Sequence, residues 1–159
     1  MGKNKFDLEQ FNELKKSVET EYKKIGSIYN PALRAKIFFN PDGWHHLRYN
    51  HSRSERSKSA QKSKLVFFNS ATNIIKMATT IQEYRRDICH LGKNKNRKGT
   101  TREFFAFWAI ISFTKKIRIK VIIKRIGGEN GQFHFWSVMP FWRLSDKQRE
   151  VSSENIMNE

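Results

Sequence analysis

Three segments in the last third of the chain, TREFFAFWAIISF (101–113), IRIKVIIKRI (117–126) and QFHFWSVM (132–139), are dense in β-branched and aromatic residues. That is strand composition rather than helix composition. They are joined by Thr114-Lys115-Lys116 and by Gly127-Gly128-Glu129-Asn130-Gly131. Both are hairpin-length connections, and the second carries the glycines that positive-φ turn positions need. The pattern predicts a three-strand antiparallel meander. Within it, Ile117, Ile119, Val121 and Ile123 share one face, while Arg118, Lys120 and Lys124 share the other. In the last strand, parity groups His134 with Trp136 beside this cationic stripe and sends Ser137 to the opposite face. A bulge alone would reunite His134 and Ser137.

Ahead of the meander the periodicity is helical. Phe11, Leu14, Val18, Tyr22 and Ile25 recur at three- and four-residue steps, with Gly26 as a C-terminal stop. Asn30-Pro31 predicts the cap and first residue of a short helix through ALRAKIFF, and Asn40-Pro41-Asp42-Gly43 reads as a turn. Residues 51–64, polar, serine-rich and without periodicity, read as a mobile loop. LVFFN (65–69) is a candidate fourth strand. Ser70 then opens a helix carrying Ile74, Met77, Ile81, Tyr84 and Ile88 on one face and ending at Gly92. The expected fold is therefore α+β: N-terminal helices followed by a mostly antiparallel sheet of four strands. It forms one domain over residues 1–145, with a flexible tail over 146–159.

Charge constrains the partner. The chain has 31 basic and 15 acidic residues. Segments 45–65, 85–102 and 115–125 hold 19 of the former and 2 of the latter, so 50 residues of 159 carry the whole excess. A basic face for a polyanion is the reading, against a merely solvated surface. Cys89 is the single cysteine, which excludes an internal disulfide and leaves a cysteine-based zinc site unsupported. The N-terminus has no apolar signal core, and the longest apolar run, 104–113, is about half a membrane span. The expectation is a cytoplasmic protein with no membrane partner. Trp108, Trp142 and the Phe-rich strand are assigned to core.

GWHHLRYNH (43–51) concentrates His45, His46 and His51, three of five histidines. A metal-dependent histidine nuclease would need oxygen ligands, and only Asp42 and Glu55 are near in sequence. Metal-independent RNA cleavage needs only a base, an acid and cations, since the 2′-hydroxyl is the nucleophile. Imidazoles titrate in the range for either proton transfer. On this basis His46, His51, Lys124 and His134 are catalytic candidates, and no cofactor is expected. His45, Arg48, Tyr49, Arg53, Arg56, Lys95, Arg97, Lys98, Arg118, Lys120, Arg125 and Trp136 are candidate nucleic-acid contacts. A non-catalytic RNA- or DNA-binding module uses the same inventory, with the histidines incidental.

The pairing of GWHHLRYNH with IRIKVIIKRIGGENGQFHFWSVMP, over about residues 40–140, resembles phage- and mobile-element nucleases of the barnase–EndoU–colicin–RelE superfamily. The resemblance implies a helix-then-antiparallel-sheet core and metal-free cleavage of tRNA or mRNA. It also implies toxin activity held by an acidic antitoxin or immunity protein. It places His46 or His51 as the histidine ahead of the sheet, Lys124 and Arg125 as basic strand positions, and Ser137 as the hydroxyl of the last strand.

Overall fold

A computed structural model describes residues 6–92, 98–112 and 116–141. Lys95, Arg97, Trp142 and the expected tail at 146–159 lie outside them. The architecture is α+β. Four helices, α1 (Leu8–Ile25), α2 (Pro41–Arg48), α3 (Lys58–Val66) and α4 (Phe68–Met77), accompany six strands. These are β1 (Ser27–Asn30), β2 (Ala35–Phe38), β3 (Glu83–Leu91), β4 (Lys98–Ser112), β5 (Lys116–Ile126) and β6 (Phe133–Phe141), in the sheet order β1-β2-β6-β5-β4-β3. Every pairing is antiparallel except β2 with β6. Among the described residues no helix is long and apolar enough to cross a membrane.

The first helix and the meander form as the sequence predicts. Asp7 caps α1 by accepting from the Gln10 N–H at 3.0 Å, and Phe11, Val18 and Tyr22 are buried along one face. Ile117, Ile119, Val121 and Ile123 are at most 1 % exposed and pack beneath the helices with Phe105, Phe107, Phe135 and Val138.

Between these ends the predicted elements change. Residues 31–38 form the turn and second strand of a hairpin that starts at Ser27, rather than a helix. Asn30 is fully buried: its amide donates to the Ile75 carbonyl at 2.8 Å, and its Oδ1 accepts from the Leu33 N–H at 2.8 Å, which closes a turn. β2 then docks in parallel on β6 and buries Ile37 completely, so tertiary pairing outweighs local helix preference. Segment 40–43 is a helix start, not a free turn, because the Asn40 Oδ1 accepts from the Gly43 N–H at 2.9 Å. The predicted loop 51–64 is helical from Lys58 onward, capped by Ser57. Its apolar contribution comes from Leu65 and the buried stems of Gln61 and Lys64, which leave no hydrophobic period to read. Residues 65–69 are not a strand but the α3–α4 junction, where Phe67 and Phe68 are 1 % exposed.

The predicted helix 70–92 ends at Met77, and its second half is β3. Only the first residue of its apparent stripe, Ile74, enters the core, while Met77, Ile81, Tyr84 and Ile88 are all exposed. The nine-residue register with β4 fixes this segment instead. The sheet is thus six-stranded and mixed rather than four-stranded.

β2 reaches only to the level of His134. Beyond that level α2 and α3 stand beside β6. Lys64 supplies donors there, from its Nζ to the Val138 carbonyl at 3.1 Å and to the Ser137 Oγ at 2.9 Å. α2 approaches β6 closely because its third residue is Gly43. A Cβ there would lie 2.4 Å from both the Phe135 carbonyl oxygen and the Tyr22 hydroxyl. Helix propensity alone would make Gly43→Ala stabilising by about 1 kcal/mol. The backbone contact dominates, so Gly43→Ala is expected to destabilise by about 1–3 kcal/mol, read as a lowered midpoint in thermal or urea unfolding.

Candidate nucleic-acid interface

The helices cover one face of the sheet. The other face carries a small apolar floor, Phe104, Ala106 and Ile122, against which Trp108, Trp136 and Met139 pack. Register puts Phe104, Lys124 and His134 in one row across β4, β5 and β6. A bulge lies between Ile122 and Ile123: Ile122 faces Ser137 and Ile123 faces Phe135, so Trp136 is the extra residue. The bulge returns Ser137 to the same face as His134, the case that unbroken parity forbade.

Along β6, α2 and the 49–56 loop meet this face and enclose a cleft of about 640 Å³. His45, His51, Arg53, Arg102, Lys124 and Trp136 are among its lining residues. A side pocket of about 120 Å³ shares Asp42, Lys124 and Trp136 with it and adds Asn40 and His134. Asp42 is the single acid lining either space.

Each imidazole has a distinct state. His46 is 4 % exposed, with its ring stacked on Trp136 at 4.0 Å and 16°. The Arg56 Nη2 lies 3.3 Å from His46 Nε2 and its Nε donates to the His46 carbonyl at 3.1 Å. A guanidinium only donates, so Nε2 accepts and the proton sits on Nδ1. Burial, reinforced by the nearby cations Arg56, Lys64 and Lys124, pushes the His46 pKa down to about 3. The expected catalytic role of His46 thus meets a ring held neutral with Nε2 engaged.

His134 is fixed through Asn40. The Asn40 Oδ1 already accepts from Gly43, so its amide N–H donates to His134 Nδ1 at 3.1 Å. The His134 proton therefore sits on Nε2. Burial lowers its pKa, opposed by Asp42. His45 is exposed and stacks on Tyr49 at 4.3 Å and 19°, while His51 is exposed on the loop. That loop is ordered by Asn50, whose Oδ1 accepts from the Ser54 N–H and the Ser52 Oγ, and Arg53 takes φ 64°.

Lys124 Nζ stands 3.7 Å from the Trp136 ring, and burial pulls its pKa down, helped by the charge of Arg102. Arg48 lies 5.5 Å over the Tyr49 ring.

The other candidates are elsewhere. Ser137 is fully buried and takes its hydrogen bond from Lys64, so it reaches neither space. Arg125 is on the helix-side face, paired with Glu103 at 2.8 Å and 4.6 Å over Phe133. Lys120 is fully buried and bound to Glu83 at 2.9 Å, while Arg118 stands over Trp108 at 4.6 Å. Arg56 is committed to His46, and Lys98 sits exposed opposite Leu91. Trp108, expected in the core, is half-buried on the open face. Asn40 and Arg102 were not among the expected site residues. The cap pattern NPDG marks the first, and the parity of β4, which sets Arg102 two residues from Phe104, marks the second. Among the described residues no three of His, Cys, Asp and Glu come close enough to hold a metal ion.

The His46 ring resonances should stay fixed from pH 8 to pH 5 in an NMR titration, while an ordinary imidazole titrates near about 6.5. Between that value and about 3 the unfolded chain binds one proton more than the native chain at this site. Stability contributed by His46 is therefore present above about 6.5 and is lost as pH falls across that window. A His46→Phe variant should show a shallower loss in urea unfolding over the same range.

No family model, curated protein or solved structure matches the chain.

Proposed function

We propose that the protein is a metal-independent endoribonuclease that takes a single-stranded stretch of tRNA or mRNA into this cleft. One observation carries the reading: Lys124 and Arg53 line the same cleft as His45 and His51, with Arg102, paired to Asp87, beside them and His134 in the adjoining pocket.

The nucleophile is the substrate's own 2′-hydroxyl. His51 takes its proton as the 2′-oxygen closes on phosphorus. The bond from phosphorus to the 5′-oxygen breaks, which leaves a 2′,3′-cyclic phosphate and a 5′-hydroxyl. Lys124 protonates the departing oxygen, a role its burial assists by making the ammonium a readier acid than an exposed lysine. Arg53 and the His134 Nε2–H stabilise charge on the non-bridging oxygens, and Arg102, held by Asp87, frames the cleft beside them. Such an activity harms its host, so the proposal includes toxicity and an acidic inhibitor matched to the basic face. The superfamily resemblance shares His51 and Lys124 with this set, and not Arg125 or Ser137.

A non-catalytic RNA- or DNA-binding protein is the second reading. The exposed His45–Tyr49 stack favours it, since that stack can receive a base without any proton transfer.

Purified chain incubated with total RNA in EDTA should yield discrete fragments with 2′,3′-cyclic ends. His51→Ala and Lys124→Ala should each slow cleavage by about 10²-fold or more. Intact RNA with a retained, salt-sensitive mobility shift would establish the second reading. Fragments that appear only once Mg²⁺ is restored would overturn metal independence.

A further inference from the structure

The open sheet face holds a second aromatic–cation cluster away from the cleft. Trp108, half-buried on β4, has Arg118 at 4.6 Å and Lys120 at 4.7 Å from its ring. It faces Lys120 in the β4–β5 register, and Lys120 is four residues from Lys124 on the same face. That spacing is about 13 Å along the strand. Both indoles, Trp108 and Trp136, rest on the same floor of Phe104, Ala106 and Ile122, so the surface between them is continuous. The neighbouring Ile110 is 67 % exposed, which marks this end of the face as uncovered.

Two polar atoms here lack partners. The Trp108 Nε1–H has no acceptor and the Glu83 Oε2 has no donor among the described residues, although both are buried. Lys120 joins them: it bonds Glu83 through the other carboxylate oxygen and sits over the indole. An unstacked nucleobase offers a π-face for the indole, and its phosphate an anion for Arg118.

We propose that Trp108 and Arg118 form a second base-binding platform, so that single-stranded nucleic acid entering the Lys124–Trp136 cleft continues across β5 to β4. This rests on the reading of the cleft as a nucleic-acid site. It adds a length requirement: a dinucleotide fills the cleft alone, and a longer strand gains the platform.

The test uses 2′-O-methyl oligoadenylates, which lack the nucleophilic hydroxyl, and reads affinity by fluorescence anisotropy at fixed salt. Wild type should bind an octanucleotide more tightly than a dinucleotide. Trp108→Leu should weaken the octanucleotide by about 10-fold and leave the dinucleotide unchanged, whereas Trp108→Phe, which keeps an aromatic face, should restore most of the loss. Arg118→Ala should weaken the octanucleotide by about 3-fold, and it decides the matter if Trp108→Leu does not fold. Equal octanucleotide affinity in wild type and the folded variants overturns the platform. A dinucleotide that binds with no gain for the octanucleotide also overturns it while sparing the cleft. If wild type binds neither, the cleft reading itself fails and the platform falls with it.

Discussion

Where α2 begins, the chain brings three elements within hydrogen-bond reach of one asparagine. The Tyr22 hydroxyl of α1 donates to the Asn40 carbonyl at 2.6 Å. The Asn40 side chain accepts from Gly43 and donates to His134 of β6. The absence of a Cβ at Gly43 lets the helix lie against the Phe135 backbone. This approach arranges the cleft side of β6. It sets the His134 tautomer, lays the His46 ring on Trp136, and leaves Asp42, His45 and Tyr49 to line the opening. The cap is therefore more than a local stabiliser of eight residues: it fixes the angle at which the wall of the cleft meets its floor.

The bulge at Trp136 does the complementary work from the strand side. One extra residue in β6 turns the indole between α2 and β5, where it meets an imidazole at 4.0 Å and an ammonium at 3.7 Å. Three cations of the sheet are paired with carboxylates: Lys120 with Glu83, Arg125 with Glu103, and Arg102, at the cleft, with Asp87 through its Nε at 2.8 Å. The partner of Lys124 is instead the Trp136 π-face. An ammonium partly removed from water and given an aromatic ring rather than a carboxylate keeps its field for an incoming anion. The difference between Lys120 and Lys124, four residues apart on one strand face, separates a lysine paired with a buried carboxylate from one set against an aromatic ring at the cleft.

The parts of the fold legible in the sequence were those whose patterns answer to one partner surface. Period-four burial in α1 and period-two burial in β5 survive because each faces a single core. The glycine-loaded connection before β6 was legible from turn chemistry, with Gly127 at φ 100° and Gly128 at φ 64°. β3 was not. It is an edge strand exposed on both faces, so burial imposes no alternation, and Ile81, Tyr84 and Ile88 fall by chance at helical spacing. α3 escaped notice because it buries Gln61 and Lys64 rather than apolar side chains. The cationic stripe of β5 was readable, but what each cation pairs with was not. Glu83 and Glu103 reach their partners only through the cross-strand register, and the bulge that redirects Ser137 has no mark in FHFWSVM.

The histidine cluster shows how little a local count of residue types determines. Successive residues on a helix point about 100° apart, so His45 and His46 cannot turn to one ion or one substrate atom. One is exposed on Tyr49, and the other is buried on Trp136 beneath a guanidinium. His51 lies past the helix end, in a loop closed by Asn50, and faces the same opening as His45. His134, 83 residues further along the chain, reaches the side pocket beside Lys124, because β2 stops at its level and the strand edge beyond is given over to α2. Adjacency in sequence put His46 among the candidates, and the same adjacency, on a helix packed against an aromatic bulge, is what holds it neutral and makes it part of the wall.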